Sequence, residues 1–294
     1  MSRASPFLLG AVALWAAAPG PAAAYCRQTT HEDDTCHADP GIPLFWQGNC
    51  VMYSVSEVGS QDLPLEQVLD IVHRSFQTWQ DAASGEGACS YLTFQPTVLA
   101  SCEEVGFRQD AGNMNLVVFR ESGWQSELNH APAAMGLTTV LYDPGSGQIL
   151  SADMELNGDN FRFTDGPIDA DADLANTVTH EAGHVLGLAH TPEAAATMYG
   201  TSTSGETQKA TLHEDDIRGV CDSYPIADDP GVCMQPKGGL DTQCLPPDGG
   251  CCRVAGTGRG RQDAGGVLAT LGVLLVAALR RRRHTGRPAT GSLR

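Results

Sequence analysis

In the run His180-Glu181-Ala182-Gly183-His184-Val185-Leu186-Gly187-Leu188-Ala189-His190, three imidazoles and one carboxylate recur at spacings that suit a single metal ion. Residues four apart lie one above the other on a helix face, so His180 and His184 can offer their rings to one ion. Glu181 is turned off that axis, away from ligation but within reach of a water on the metal. Gly187 accepts a positive φ, which ends the helix and swings the chain back so that His190 becomes the third ligand. Three protein ligands leave one position open. That is the arrangement of catalytic zinc, whereas structural zinc is usually enclosed by four ligands, most often with Cys among them. The five-residue HExxH core also turns up in ordinary helices; the eleven-residue form is far more specific. The chemistry expected is hydrolysis: zinc lowers the pKa of its bound water, and Glu181 takes the proton as that water attacks a peptide carbonyl. Zinc then stabilises the oxyanion while Glu181 passes the proton to the departing amine.

These residues need a scaffold. Asp62-Leu63-Pro64 opens a helical pattern with Leu65, Val68, Leu69, Val72, Phe76 and Trp79 on one buried face. Strand-like runs are expected at Val51 to Val55, Tyr91 to Phe94, Asn115 to Phe119, Leu137 to Tyr142 and Ile149 to Leu156, with Asp143-Pro144-Gly145 as the turn between the last two. The zinc helix should begin near Asp173, whose carboxylate suits an N-cap, and Thr211-x-x-Glu214 reads as a capping box for the final helix. Helices alternating with strands imply a mixed sheet in one α+β domain.

At HEAGHVLGLAH the chain resembles the metzincins, and Met198 in Ala196-Thr197-Met198-Tyr199-Gly200 resembles their Met-turn. Within that clan the likeness is to the matrixins. They carry Met-Tyr-Pro where this chain has Met198-Tyr199-Gly200, and their last helix resembles 212–220. Phe76-Gln77-Thr78-Trp79 and Leu92-Thr93-Phe94 resemble the first helix and second strand of the same domain, so the likeness covers about 42–226. It implies a zinc endopeptidase with a twisted, mostly parallel five-stranded sheet, one antiparallel edge strand and three main helices. It also implies that Leu137, Thr138, Thr139 and Val140 form a cleft rim that pairs with extended protein substrates, and that Asn176 faces the main specificity pocket. Asp153 and Glu155, alternating with Asn157 on one strand face, fall where matrixins place calcium ligands. Two matrixin features are missing: the Pro-Arg-Cys-Gly propeptide switch and the His-x-Asp run of a structural zinc. Tyr199 directly follows Met198, whereas metzincins with a tyrosine ligand place it two residues on, so Tyr199 is left outside the metal shell. The same spacing disfavours an astacin-like branch.

Charge narrows the partners. The chain has 294 residues, and between Tyr25 and Cys252 eight Lys and Arg face thirty-four Asp and Glu, a formal charge of −26. Nucleic acid would be repelled by such a body. Solubility and calcium binding are the more natural readings. Asp165, Asp169, Asp171 and Asp173 are either calcium ligands, Asp169 and Asp171 foremost, or a solvated loop that favours the next helix N-terminus. His31, His37, His73, His130 and His213 lack ligand spacing and read as surface or capping residues.

Residues 1–24 read as a secretory signal peptide. All ten cysteines follow it, which favours disulfides of unspecified connectivity. The alternative is that Cys26, Cys36 or Cys50 ligates zinc in a latent form. Residues 25–60 hold an N-terminal segment and first strand, 61–226 the catalytic domain, and 227–262 a Cys-, Pro- and Gly-rich stalk. The uncharged run Ala264 to Leu279, followed by Arg280-Arg281-Arg282-Arg283, is expected to be a membrane helix oriented by its arginines. With Gly249-Gly250-Cys251-Cys252 it resembles tripartite sorting tails of the MYXO-CTERM kind, which implies transient retention and delivery to a bacterial surface; the plainer reading is a single-span anchor. A rival function is a surface binding or adhesion module that keeps the zinc fold without turnover, against which the intact Glu181 weighs.

Overall fold

The computed structural model describes residues 25–31, 36, 41–85, 87–168, 171–243 and 268–276. The signal-peptide reading of 1–24, the Arg280–Arg283 cluster, His37, Asp169 and Cys244, Cys251 and Cys252 lie outside them.

Five strands form the body of the sheet: β1 (Cys50–Val55), β2 (Thr93–Pro96), β3 (Leu116–Arg120), β4 (Ala134–Tyr142) and β5 (Ile149–Asn157). Their order is β2-β1-β3-β5-β4, with every pair parallel except β4 against β5. This is an α+β sheet with one antiparallel strand at the rim of the five. Asp143 makes the β4–β5 reversal: its carbonyl accepts from Gly147 N at 2.8 Å and its Oδ1 from Gly145 N at 2.7 Å.

Three helices complete the domain: α1 (Leu65–Gln80), α2 (Leu174–Val185) and α3 (Glu214–Ser223). The buried face of α1 is Val68, Ile71, Val72, Ser75, Phe76 and Trp79, while Leu65 and Leu69 are only half-buried. The expected stripe is thus rotated slightly toward Ile71 and Ser75. Phe76 stacks on Tyr53 of β1 with centroids 4.3 Å apart, and Trp79 Nε1 donates to Thr179 O at 2.8 Å, joining α1 to α2.

Several expectations are corrected. The second strand begins at Thr93, not Tyr91, because Tyr91 N is drawn to Tyr224 O at 3.0 Å. It ends in Pro96, tolerated because β2 is an outer strand. The cap of α3 is His213 with Asp216, not Thr211 with Glu214. Thr211 is already engaged, its carbonyl accepting from Thr197 Oγ1 at 2.8 Å and its hydroxyl donating to Gln208 O at 3.2 Å. Cys26 pairs with Cys36, Cys50 with Cys233 and Cys89 with Cys221, so the three thiols considered for a latency switch are closed in disulfides. The Cys50–Cys233 link closes a separation of 183 residues. Chain-entropy reasoning gives such a loop about 5 kcal/mol.

The apolar tail differs most from expectation. Residues Leu268–Val276 are a strand, here β7, not part of a helix. β7 pairs antiparallel with β4 and parallel with β6 (Thr201–Ser202). An uncharged run satisfies its backbone as readily on an open sheet edge as in a helix, and apolarity alone does not choose between them. Among the described residues no helix is long and apolar enough to cross a membrane.

Candidate metal centre

Asp173 starts α2 as expected: Oδ1 accepts from Asn176 N at 2.7 Å, while Oδ2 accepts from Gly166 N at 2.8 Å. At the other end Gly187 has φ +83°, and its N–H donates to His184 O at 2.9 Å. The carbonyls left at that end find side-chain donors. Trp46 Nε1 reaches Val185 O at 2.8 Å and Tyr224 Oη reaches Leu186 O at 2.7 Å.

The turn brings the three imidazoles together. Ligand atoms of His180, His184 and His190 all lie within 4.8 Å of one another, and Nε2 of His180 is 3.1 Å from Nε2 of His190. Nδ1 of His180 lies 2.6 Å from Thr197 O, and Nδ1 of His184 2.9 Å from Leu188 O. With Nδ1–H donating to these carbonyls, each Nε2 turns its lone pair to the common centre, as metal-ligating histidines do. Burial, reinforced by the neighbouring His184 and His190, pushes the His180 imidazolium far below its usual range. The ring is therefore neutral and able to ligate. Three imidazole nitrogens at this mutual distance fit a zinc ion.

Beneath the centre, Met198 is buried and sits under Gly183: a Cβ built at Gly183 falls 2.1 Å from Met198 Sδ and 2.8 Å from Trp79 Cζ2. The turn carrying Met198 is held from α3 by Asp216, which accepts from Thr197 N at 2.7 Å, Met198 N at 3.0 Å and His213 N at 2.8 Å. Sequence reasoning missed Asp216; its only local signal is an acid in the first turn of α3.

Glu181 is fully buried, and its Oε2 accepts from Thr138 Oγ1 at 2.7 Å. Thr138 belongs to the strand expected to be the substrate rim, yet its hydroxyl turns inward to this carboxylate. Two residues earlier, a Cβ at Gly136 would fall 2.8 Å from Glu181 Cγ and 2.9 Å from Oε1. Gly136 was missed as well: the expected strand begins at Leu137, whereas the observed one begins at Ala134 and includes it. Leu137, Thr138, Thr139 and Val140 lie opposite Val273, Gly272, Leu271 and Thr270 of β7.

Asn176 is buried, donating to Ser202 Oγ at 3.2 Å and accepting from Lys209 N at 2.8 Å. It ties α2 to the segment after the Met-turn. Lys209, 1 % exposed, donates to Thr201 O at 2.9 Å and pairs with Glu206. No periodicity in the sequence marks it, because its partners lie in an irregular loop.

Among the described residues, the acidic side chains weighed as calcium ligands have partners within the protein. Asp153 accepts from Gly106 N at 2.8 Å and Leu116 N at 2.9 Å. Glu155 is paired with Arg120 Nε at 2.6 Å and His130 Nε2 at 3.4 Å, so His130 is a partner of Glu155 rather than a bare surface residue. Asp171 faces Arg162 at 3.3 Å and Asp165 accepts from Gln67 at 2.8 Å. Burial raises the Asp153 carboxyl from its ordinary 3.8 to about 7, against the two amides that favour the charge. A raised folded-state pKa means that the unfolded chain ionises first. This group's stabilisation is therefore whole below about pH 4, declines as pH rises toward 7, and changes no further above. Melting temperatures of the native chain relative to Asp153→Asn should fall across that window and run level beyond it; a flat difference would refute the assignment.

Residues 45–225 match the matrixin family of peptidases (Peptidase M10). The chain belongs to the matrixin family. It is 28% identical to human matrilysin over 180 residues, 61% of this chain and 58% of that protein. It is 27% identical to rat stromelysin-1 over 211 residues, 70% of this chain and 39% of that protein. To the Arabidopsis thaliana metalloendoproteinase 1-MMP it is 25% identical over 182 residues, 61% of this chain and 44% of that protein. The chain thus spans between two-fifths and three-fifths of the length of these relatives. The family is one of zinc metallopeptidases, and the three disulfides fit a protein of an oxidising compartment.

Proposed function

We propose that this chain is a zinc-dependent endopeptidase, exported through its first 24 residues, that cleaves extended protein segments. The observation that carries the reading is the convergence of His180, His184 and His190 beside a buried Glu181. Zinc, when bound, supplies an electrophilic centre for a water and a substrate carbonyl. His180, His184 and His190 would hold it, two of them oriented by the carbonyls of Thr197 and Leu188. Glu181 removes the proton from the attacking water and returns it to the departing amine. Thr138 fixes one oxygen of that carboxylate, and Gly136 leaves room for the other. Met198 supports the floor, and the rim 137–140 aligns the substrate main chain. The acidic body, with eight Lys and Arg against thirty-four Asp and Glu between Tyr25 and Cys252, disfavours nucleic acid as a partner.

The test is hydrolysis of a quenched casein or gelatin substrate by the purified protein, before and after a zinc chelator and after zinc is restored. Turnover that disappears and returns supports the peptidase; full zinc occupancy with no turnover on a broad peptide library would make it a binding module. Within this mechanism Gly136→Ala should retain zinc yet lower kcat/KM on the order of a hundredfold, because the methyl displaces the base by roughly an ångström. Unchanged kinetics would remove Gly136 from the positioning role.

A further inference from the structure

We propose that residues 268–276 of the chain's own tail are an intramolecular ligand of the cleft, lying in the track of an extended substrate and competing with it; this rests on the peptidase reading above. β7 does not add to an arbitrary edge. It lies between β4 and β6, antiparallel to one and parallel to the other, and packs beside α2, the helix that carries His180 and Glu181. The register is equally specific. Gly272 stands opposite Thr138 and Leu274 opposite Gly136, the two β4 residues that contact Glu181. The backbone from Gly272 to Leu274 therefore runs alongside β4 at the level of the residues that contact the catalytic carboxylate, where an extended substrate would be presented.

The chemistry of the segment suits that place. Leu-Ala-Thr-Leu-Gly-Val-Leu-Leu-Val carries no charge and no proline, so every residue can offer its backbone to the edge of β4, in one register from Leu268 to Leu274 and shifted at Leu275. Twenty-four residues separate it from Gln243. Extended, they reach roughly 80 Å, ample to return to the domain. A tether of this kind sets an effective concentration on the order of millimolar. A tail that binds with a dissociation constant near a tenth of that would raise the apparent KM for a free peptide about tenfold and leave kcat unchanged. The cleft should accordingly favour extended, uncharged, aliphatic segments.

The test compares the full chain with a full-length Gly272→Pro/Leu274→Pro variant, since proline removes the donor and fixes φ. Hydrogen exchange across 134–142 should be at least tenfold faster in the variant at the amides facing β7. Amides of α1 and β3 serve as the internal standard that the fold is intact. Hydrolysis of a quenched aliphatic peptide should show an apparent KM about tenfold lower in the variant. Equal exchange in the two proteins, or faster exchange without a change in KM, would overturn the proposal. Faster exchange in the variant with no hydrolysis by either protein would instead overturn the peptidase reading and leave the tail as an occupant of the groove.

Discussion

Glu181→Gln is expected to retain zinc and lose activity by about a hundred- to ten-thousandfold in kcat, with little change in KM. The substitution conserves shape and leaves an oxygen to accept from Thr138 Oγ1, so the buried side chain stays in place. What disappears is the capacity to take a proton from water and release it to the amine. A structural carboxylate would behave differently: its replacement by an amide would shift stability and spare turnover. Steady-state kinetics with zinc content measured on the same sample separate the two. Activity within a fewfold of the native chain would take the general base away from Glu181.

Gly183→Ala is expected to lower stability by about 1–2 kcal/mol, or roughly 3–8 °C in melting temperature for a domain of this size. The sign comes from two opposed effects. In an exposed helix interior, alanine is favoured over glycine by about 1 kcal/mol. Here the added methyl would meet Met198 Sδ at 2.1 Å and the Trp79 ring at 2.8 Å, both buried. Overpacking of that kind costs about 1–3 kcal/mol and sometimes more. The excess must be relieved by moving the Met-turn, which Asp216 clamps from α3, so zinc affinity should fall along with stability. Thermal melts of Gly183→Ala alone and with Met198→Ala test this directly, the second substitution easing the crowding. A stabilised Gly183→Ala would mean that Met198 does not lie where it is described.

Much of the site was legible in the sequence because its logic is local. The spacing of His180, His184 and His190, the helix start at Asp173 and the positive-φ turn at Gly187 are consequences of helix geometry that eleven or so consecutive residues specify. The Asp143 turn was readable for the same reason. What escaped depends on partners distant in sequence. Asp216 reads as an ordinary first-turn acid until Thr197 and Met198 are folded over it. Gly136 lies just before the strand expected from Leu137 and carries no signal until Glu181 is placed beneath it. Glu155 looks like a free oxygen ligand until Arg120 and His130 arrive from other segments. The tail is the sharpest case. An uncharged run reads as helix or strand according to what lies beside it, and the open edge of β4 is known only once the sheet is assembled.

The most direct test of the central claim is zinc K-edge X-ray absorption on the purified full-length protein, with metal content from the same preparation. One zinc per chain bound by three imidazole nitrogens and one oxygen ligand is expected. A preparation without zinc, or a zinc held by thiolate sulfur, would contradict it.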